Sequence, residues 1–288
     1  MIQPLLQDQA FLADVAAARI DPDTVHLWWL GQSGFLVQHG GRHLLFDPYL
    51  SDSLTRKYQG TEKPHVRMTQ RVIAPQLLDF VDVITSTHNH TDHLDADTIV
   101  PIVRAAAQAR NAAVSLVLPA ANVEFATNRL HEALPQIAAI QAGQHLNVAG
   151  FEFTAVPAAH DRLATDERGR HLYLGLIVRM GNVAIYHSGD TIVYDGMADL
   201  LLPHKIDIAI LPINGKVANM GGADAAGLAS DIGAKWVIPC HYDMFEFNTA
   251  SPAEEFIPEC RRLGQPFKVL QAGERFSADG CSGRPSSF

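Results

Sequence analysis

The chain has 288 residues, 47% of them hydrophobic, which is enough apolar material for one large core or two small ones. Its net charge of −9 and its sparse basic segments (Arg56-Lys57, Arg261-Arg262) argue against nucleic-acid binding, though not against a small anionic substrate. The sequence contains no apolar run long enough to span a bilayer, which argues against a membrane protein.

The first residues lack the basic start and apolar centre of a signal peptide. The spacing of Leu5, Leu6, Phe11, Leu12 and Val15 instead predicts a short amphipathic helix over about 4–18. Val25 to Leu30 and Phe35 to Gln38 read as strands around Gly31-Gln32-Ser33-Gly34. Gly40-Gly41 then turns the chain into a third strand, His43 to Asp47. Pro48 to Thr69 is polar and irregular, a long loop of the kind that often carries function.

Asp82 to Ser86 is a strand leading into the densest chemistry of the chain, Thr87-His88-Asn89-His90-Thr91-Asp92-His93. Groups this close must be solvated, paired or bound to a metal, and imidazole with carboxylate suits zinc, manganese or iron. A helix follows, with Asp95 as N-cap and Leu94 and Ile99 as a hydrophobic staple. Pro101 predicts a kink or restart before Arg104 to Arg110. Val114 to Leu118 reads as a strand and Ala121 to Leu134 as a helix.

The second half repeats the alternation. Phe151 to Val156 is a strand, and Leu172 to Met180 with Val183 to His187 form a hairpin across Gly181-Asn182. Ile206 to Leu211, Lys235 to Ile238 and Phe267 to Leu270 are further strands, with helices at Ala223 to Ile232 and Pro252 to Leu263. Two halves that each open on a meander and then alternate predict two sheets face to face with helices outside. The α/β chain, 1–288, is expected to be a single domain.

Three of these strands end in a candidate ligand: His160 after Phe151–Val156, Asp190 after Val183–His187, His241 after Lys235–Ile238. Taken singly, each has a plain structural use, as a surface charge, a turn cap or a packed histidine. Taken with the upstream run, they point to one site at a sheet edge. The cysteines, Cys240, Cys260 and Cys281, are odd in number and widely spaced. That favours a reducing, cytoplasmic setting, with Cys240 a buried thiol rather than a ligand.

The His88–His93 run matches the HxHxDH motif of the metallo-β-lactamase superfamily, and the chain resembles that family over roughly residues 24 to 276. The resemblance implies a four-layer αββα sandwich holding two divalent metal ions. His88, His90 and His160 would hold the first, Asp92, His93 and His241 the second, and Asp190 would bridge them. Trp28-Trp29-Leu30-Gly31, Tyr186-His187-Ser188-Gly189-Asp190 and Val237-Ile238-Pro239 resemble the L-ascorbate-6-phosphate lactonases. Those enzymes read Phe-Asp-Arg where this chain reads His160-Asp161-Arg162.

The expected function is hydrolysis by water activated between two metals, manganese or zinc, with iron also accepted by the donor set. The substrate would be a lactone of a small sugar-like metabolite, phosphorylated or not, with Asp92 orienting or deprotonating the water. A phosphodiesterase with the same centre, on a small or lipid-like substrate, is the alternative. A non-catalytic sensor is a third reading, disfavoured by the intact ligand set. Arg56, Lys57, Arg162 and Lys216 are candidate substrate contacts, and His187, Asp243 and Asn248 candidate supports for the ligands. The family resemblance leaves room for a homo-oligomer.

Overall fold

The structure, a computed structural model, describes residues 1–216 and 218–278. Helix α1 (Asp8–Ala18) leads into strands β1 (Val25–Gly31), β2 (Gly34–His39) and β3 (Arg42–Phe46). Then come α2 (Ser53–Lys57), β4 (Val83–Thr85), α3 (Ala96–Arg110), β5 (Ser115–Pro119), α4 (Val123–Arg129) and β6 (Gln136–Ile140). The second half holds β7 (His145–Val148), β8 (Phe151–Pro157), a small hairpin β9 (Ala159–His160) and β10 (Arg162–Leu163), then β11 (Leu174–Met180) and β12 (Val183–His187). It ends with α5 (Met197–Leu201), β13 (Ile208–Pro212), α6 (Gly222–Asp231), β14 (Trp236–Cys240), α7 (Phe256–Leu263) and β15 (Arg275–Ala278).

The strands form two main sheets, ordered β15-β1-β2-β3-β4-β5-β6 and β14-β13-β12-β11-β8-β7. Each is antiparallel through its meander and parallel beyond it, with the change at β3–β4 in one and β12–β13 in the other. The sheets meet face to face. The His187 ring of β12 stacks on Phe46 of β3 at 4.9 Å and meets Phe35 of β2 edge-on at 6.3 Å. Strands covered on both faces have no polar side to alternate with, which is why β1, β12 and β13 read as near-continuous apolar runs. Helices close the outer faces. Phe11 of α1 packs edge-on against Trp28 of β1, and α6 lies on β13 and β14 through buried Ala225 and Ala229. At Gly222 a side chain would collide with the backbone of Phe256, so this glycine lets α6 and α7 touch.

Five local expectations differ from the structure, the first being the stretch Pro48 to Thr69, read as irregular loop, which contains the short helix α2 (Ser53–Lys57). α3 runs unbroken through Pro101, because the carbonyl this proline leaves unpaired belongs to solvent-exposed Asp97. The N-terminal helix starts at Asp8, and the preceding chain is extended, with Leu5 N–H donating to the Ala272 carbonyl. Phe267–Leu270 makes one bridge to Val237 rather than a strand, and the last strand of the described chain is β15, which closes on β1. The helix expected to reach Leu134 stops at Arg129, and β6 and β7 fill the stretch that follows.

Candidate metal centre

Sequence-distant residues converge where the strands of both sheets end. The loop after β4 carries His88, His90, Asp92 and His93. His160 sits in β9, Asp190 follows β12 and His241 follows β14. The loops are locked to one another. Leu174 N–H at the start of β11 donates to Thr87 O (3.1 Å), and Ala159 N–H donates to Thr191 Oγ1 (2.9 Å). Gly189, at φ +60°, lies so close to the Thr87 side chain that a Cβ there would sit 2.6 Å from its oxygen. His241 itself adopts φ +61°, a left-handed conformation uncommon outside glycine, and is held in it by a hydrogen bond from its N–H to the Gln32 carbonyl.

Ligand-capable atoms of His88, His90 and Asp190 lie within 4.8 Å of one another, as do those of Asp92, His93 and His241. Asp190 Oδ1 stands between the sets, 2.8 Å from His241 Nε2 and 3.1 Å from His93 Nε2. The His160 ring lies 4.8 Å from that of His90 and 5.9 Å from that of His88, and it stacks on Tyr173 at 4.9 Å. The Nε2 atoms of His88, His93, His160 and His241, and Asp190 Oδ1, are all buried without a hydrogen-bond partner. Left without hydrogen-bond partners, these atoms face a common centre.

The outward-facing atoms explain why these groups turn inward. Asp47, wholly buried at the end of β3, accepts from His93 Nδ1 (2.7 Å), Thr85 Oγ1 (2.7 Å), Thr87 N–H (3.1 Å) and the Thr87 hydroxyl. With its proton committed to Asp47, Thr87 Oγ1 accepts from His88 Nδ1 at 3.2 Å, which leaves His88 Nε2 as a free lone pair. Gln32 Nε2 donates to Asp92 Oδ2 (2.9 Å) and lies 3.2 Å from His241 Nδ1, tying together two members of one set. Arg129 of α4 clamps the histidine loop through Asn89 O (2.9 Å) and Leu94 O (3.2 Å).

The electrostatics fit a cation. Burial, reinforced by the neighbouring His93, holds His88 well below the ordinary histidine range, and burial likewise lowers His90, so both favour the neutral, ligating form. Burial works against charge on His93 too, but Asp190 and Asp92, with Asp47 behind, outweigh it and raise this imidazole well above its usual range. Burial would raise the Asp190 carboxyl, yet His241 and His93 hold it well below the usual carboxylate range. Asp92 and Asp190 gathered at one point leave it short of positive charge, and oxygen with imidazole nitrogen is a donor set that divalent transition metals accept.

Asp47, Gln32 and Tyr173 were not singled out in the sequence reading. Asp47 and Gln32 directly follow apolar strands, the pattern that drew attention to Asp190. His187 supports the site at one remove. Its Nε2 donates to Ser33 O (2.9 Å) and its Nδ1 accepts from Gly189 N–H (3.3 Å), fixing the turns that carry Gln32 and Asp190 rather than a ligand. Asp243 and Asn248 likewise touch other loop residues, Thr249 and Asn214. Cys240 and Cys260 are buried free thiols, and burial pushes Cys240 well above its usual range; Cys281 lies outside the described residues.

A cavity of about 590 Å³ opens above His90, Asp92, His160 and Asp190. Of the four candidate substrate contacts, Lys57 lines it and three do not. Arg56 turns away to pair with Asp97, Arg162 is exposed on β10, and Lys216 Nζ donates to the carbonyls of Phe247 and Thr249.

A sequence model described as a β-lactamase superfamily domain matches residues 26–241. The chain belongs to the β-lactamase superfamily. Within it, a UPF0173 metal-dependent hydrolase of Chelativorans sp. (strain BNC1) is 31% identical across 80% of this chain and 89% of its own, which puts the chain in the UPF0173 family. A UPF0173 metal-dependent hydrolase of Rubrobacter xylanophilus is 29% identical across 87% of this chain and 95% of its own. Among solved structures, Igni18, a metallo hydrolase of Ignicoccus hospitalis, superposes with a TM-score of 0.65 at 23% identity, covering 88% of this chain and 98% of its own. An isothiocyanate hydrolase from Delia radicum gut bacteria superposes at 0.67 with 18% identity, over 88% and 99%. At these identities the structural likenesses speak for the superfamily's fold.

Proposed function

We propose that the chain is a metal-dependent hydrolase whose seven convergent side chains hold two divalent cations. His88, His90 and His160 form one half, Asp92, His93 and His241 the other, and Asp190 joins them. The observation that carries this reading is the set of five buried, unpartnered donor atoms aimed at one centre. The UPF0173 relatives, named as metal-dependent hydrolases, support it. When bound, such a pair of cations lowers the pKa of water toward neutrality and polarises the oxygen under attack.

The chain's own residues supply the rest. Asp92, steadied by the Gln32 amide, orients the attacking water and takes its proton. Asp190 keeps the two halves of the donor set in register. Asp47 and Thr87 fix the His93 and His88 rings from behind. In this reading the substrate is a lactone, the residues of the donor set would hold manganese or zinc, and the resemblance to the L-ascorbate-6-phosphate lactonases supports the lactone. A small-molecule substrate, rather than nucleic acid or membrane, fits the net charge of −9 and a cavity of about 590 Å³. A phosphodiesterase is the second reading, because the same donor set suits attack at phosphorus.

Hydrolysis of a sugar lactone and of a generic phosphodiester by manganese- and zinc-loaded protein decides between them, with Asp190→Ala as the blank. Lactone preference is expected. Diester preference would move the reaction to phosphorus. Equal rates in Asp190→Ala and the parent would contradict the assignment of Asp190.

A further inference from the structure

We propose that the cavity above the donor set takes a small anion whose body is a flat apolar ring rather than a polyhydroxyl chain. The proposal rests on the reading of that cavity as the substrate site and replaces the sugar-like body suggested by the lactonase resemblance with an aromatic one.

The cavity has three chemically distinct parts. Its floor is the ligand cluster. Its wall comes from two loops, one holding α2 and the other following β14, which bring Tyr58, His65, Phe245 and Phe247 together. Tyr58 stacks on His65 at 4.2 Å, and His65 in turn meets Phe247 at 4.4 Å and Phe245 at 5.1 Å. Phe245 belongs to a small apolar cluster separate from the main core, against which Tyr58 and Phe247 pack while staying partly exposed. Rings that only complete a core are buried in it; these leave apolar surface facing the cavity, where a ligand ring would cover it.

Several polar atoms beside the rings are already engaged. The Asn248 oxygen accepts from Asn214, His65 Nδ1 is taken by the Lys63 carbonyl, and the Gln32 amide donates to Asp92. The rim, in contrast, carries two exposed cations, Lys57 and Lys63, and among the described residues neither has a carboxylate partner. Lys57 Nζ lies 5.1 Å from the Tyr58 ring centroid, so positive charge sits directly beside the aromatic wall. A ring bearing an acidic group satisfies wall and rim together.

The test compares two carboxylates that have no bond to hydrolyse, 2-naphthoate and gluconate. Binding to the full chain is measured by calorimetry, before and after zinc loading, with metal content determined on the same samples. Naphthoate is expected to bind at least about tenfold more tightly than gluconate. Phe247→Ala and Tyr58→Ala should each erase most of that preference while leaving gluconate binding unchanged, and Lys57→Met should weaken both ligands. Phe247→Leu, which keeps apolar volume without the ring, guards against a folding defect and should retain part of the preference. Equal binding of the two carboxylates, or a naphthoate preference untouched in Phe247→Ala and Tyr58→Ala, would overturn the proposal. Zinc-free protein that keeps the preference supports the proposal, whereas failure of zinc to bind at all would count against the hydrolase reading alone.

Discussion

The floor of the cavity and its wall are built by opposite rules. On the floor, side chains stand at strand ends and are held from behind by a second group: His93 by Asp47, His88 by Thr87, Asp92 by Gln32. The wall consists of two loops whose rings chiefly hold one another, Tyr58 on His65 and His65 on Phe247. The contrast teaches where change is tolerated. A floor whose ligands are tied to backing groups transmits alteration to metal binding and folding, while a wall of mutual contacts can be rebuilt without disturbing either.

The largest break of this contrast is expected at Asp47. Asp47→Ala strands the buried His93 Nδ1, Thr85 Oγ1 and Thr87 N–H. Metal affinity should fall about 10–100-fold, with a stability loss of roughly 3 kcal/mol, read by metal titration and denaturant unfolding. An unchanged metal affinity would remove Asp47 from the floor. Next comes Gly189→Ala. Its Cβ would press on Thr87 from a backbone at φ +60°, so a loss of about 2 kcal/mol is expected, with metal content reduced because Thr87 also steadies His88.

A third variant separates burial from metal chemistry. His43, far from the ligand set and packed edge-on against Phe80, is pushed down to about 4, mainly by burial and the nearby Arg19. A histidine lowered in the folded state favours folding above its unfolded value near 6.5, and that contribution is lost as pH falls toward 4. His43→Phe should flatten the pH dependence of unfolding across that window by on the order of 2 kcal/mol, equally with and without metal. A pH dependence unchanged by this substitution would mean that His43 titrates normally. The smallest effect is expected on the wall, where Phe247→Ala should shift stability by less than about 1 kcal/mol and leave metal content intact.

The same contrast governs what could be read in the sequence. The His88–His93 run announced itself because several ligand types crowd into one loop after a strand, and His160, Asp190 and His241 repeat the strand-end position. Asp47 and Gln32 sit at equivalent strand ends, but a single Asp or Gln beside Gly and Pro also reads as a turn. What distinguishes them is contacts 46 and 60 residues away in the chain, to His93 and Asp92, which no local pattern encodes. Arg56 and Lys57 are neighbours in sequence, yet the turn of α2 sends one to Asp97 and the other to the cavity. Strands β1 to β3 and β11 to β14 were legible as apolar runs. β6 was not, because Gln136–Ile140 holds two alanines and lies half-exposed at a sheet edge, where the apolar signal is weak.

The most direct test of the account is metal stoichiometry by native mass spectrometry on the full chain, alongside His160→Ala and His241→Ala. The account predicts two divalent ions per chain in the parent and one in each variant, with the folded charge-state envelope preserved. A parent that holds at most one ion, or variants that both keep two, would contradict a centre divided between His88, His90 and His160 on one side and Asp92, His93 and His241 on the other.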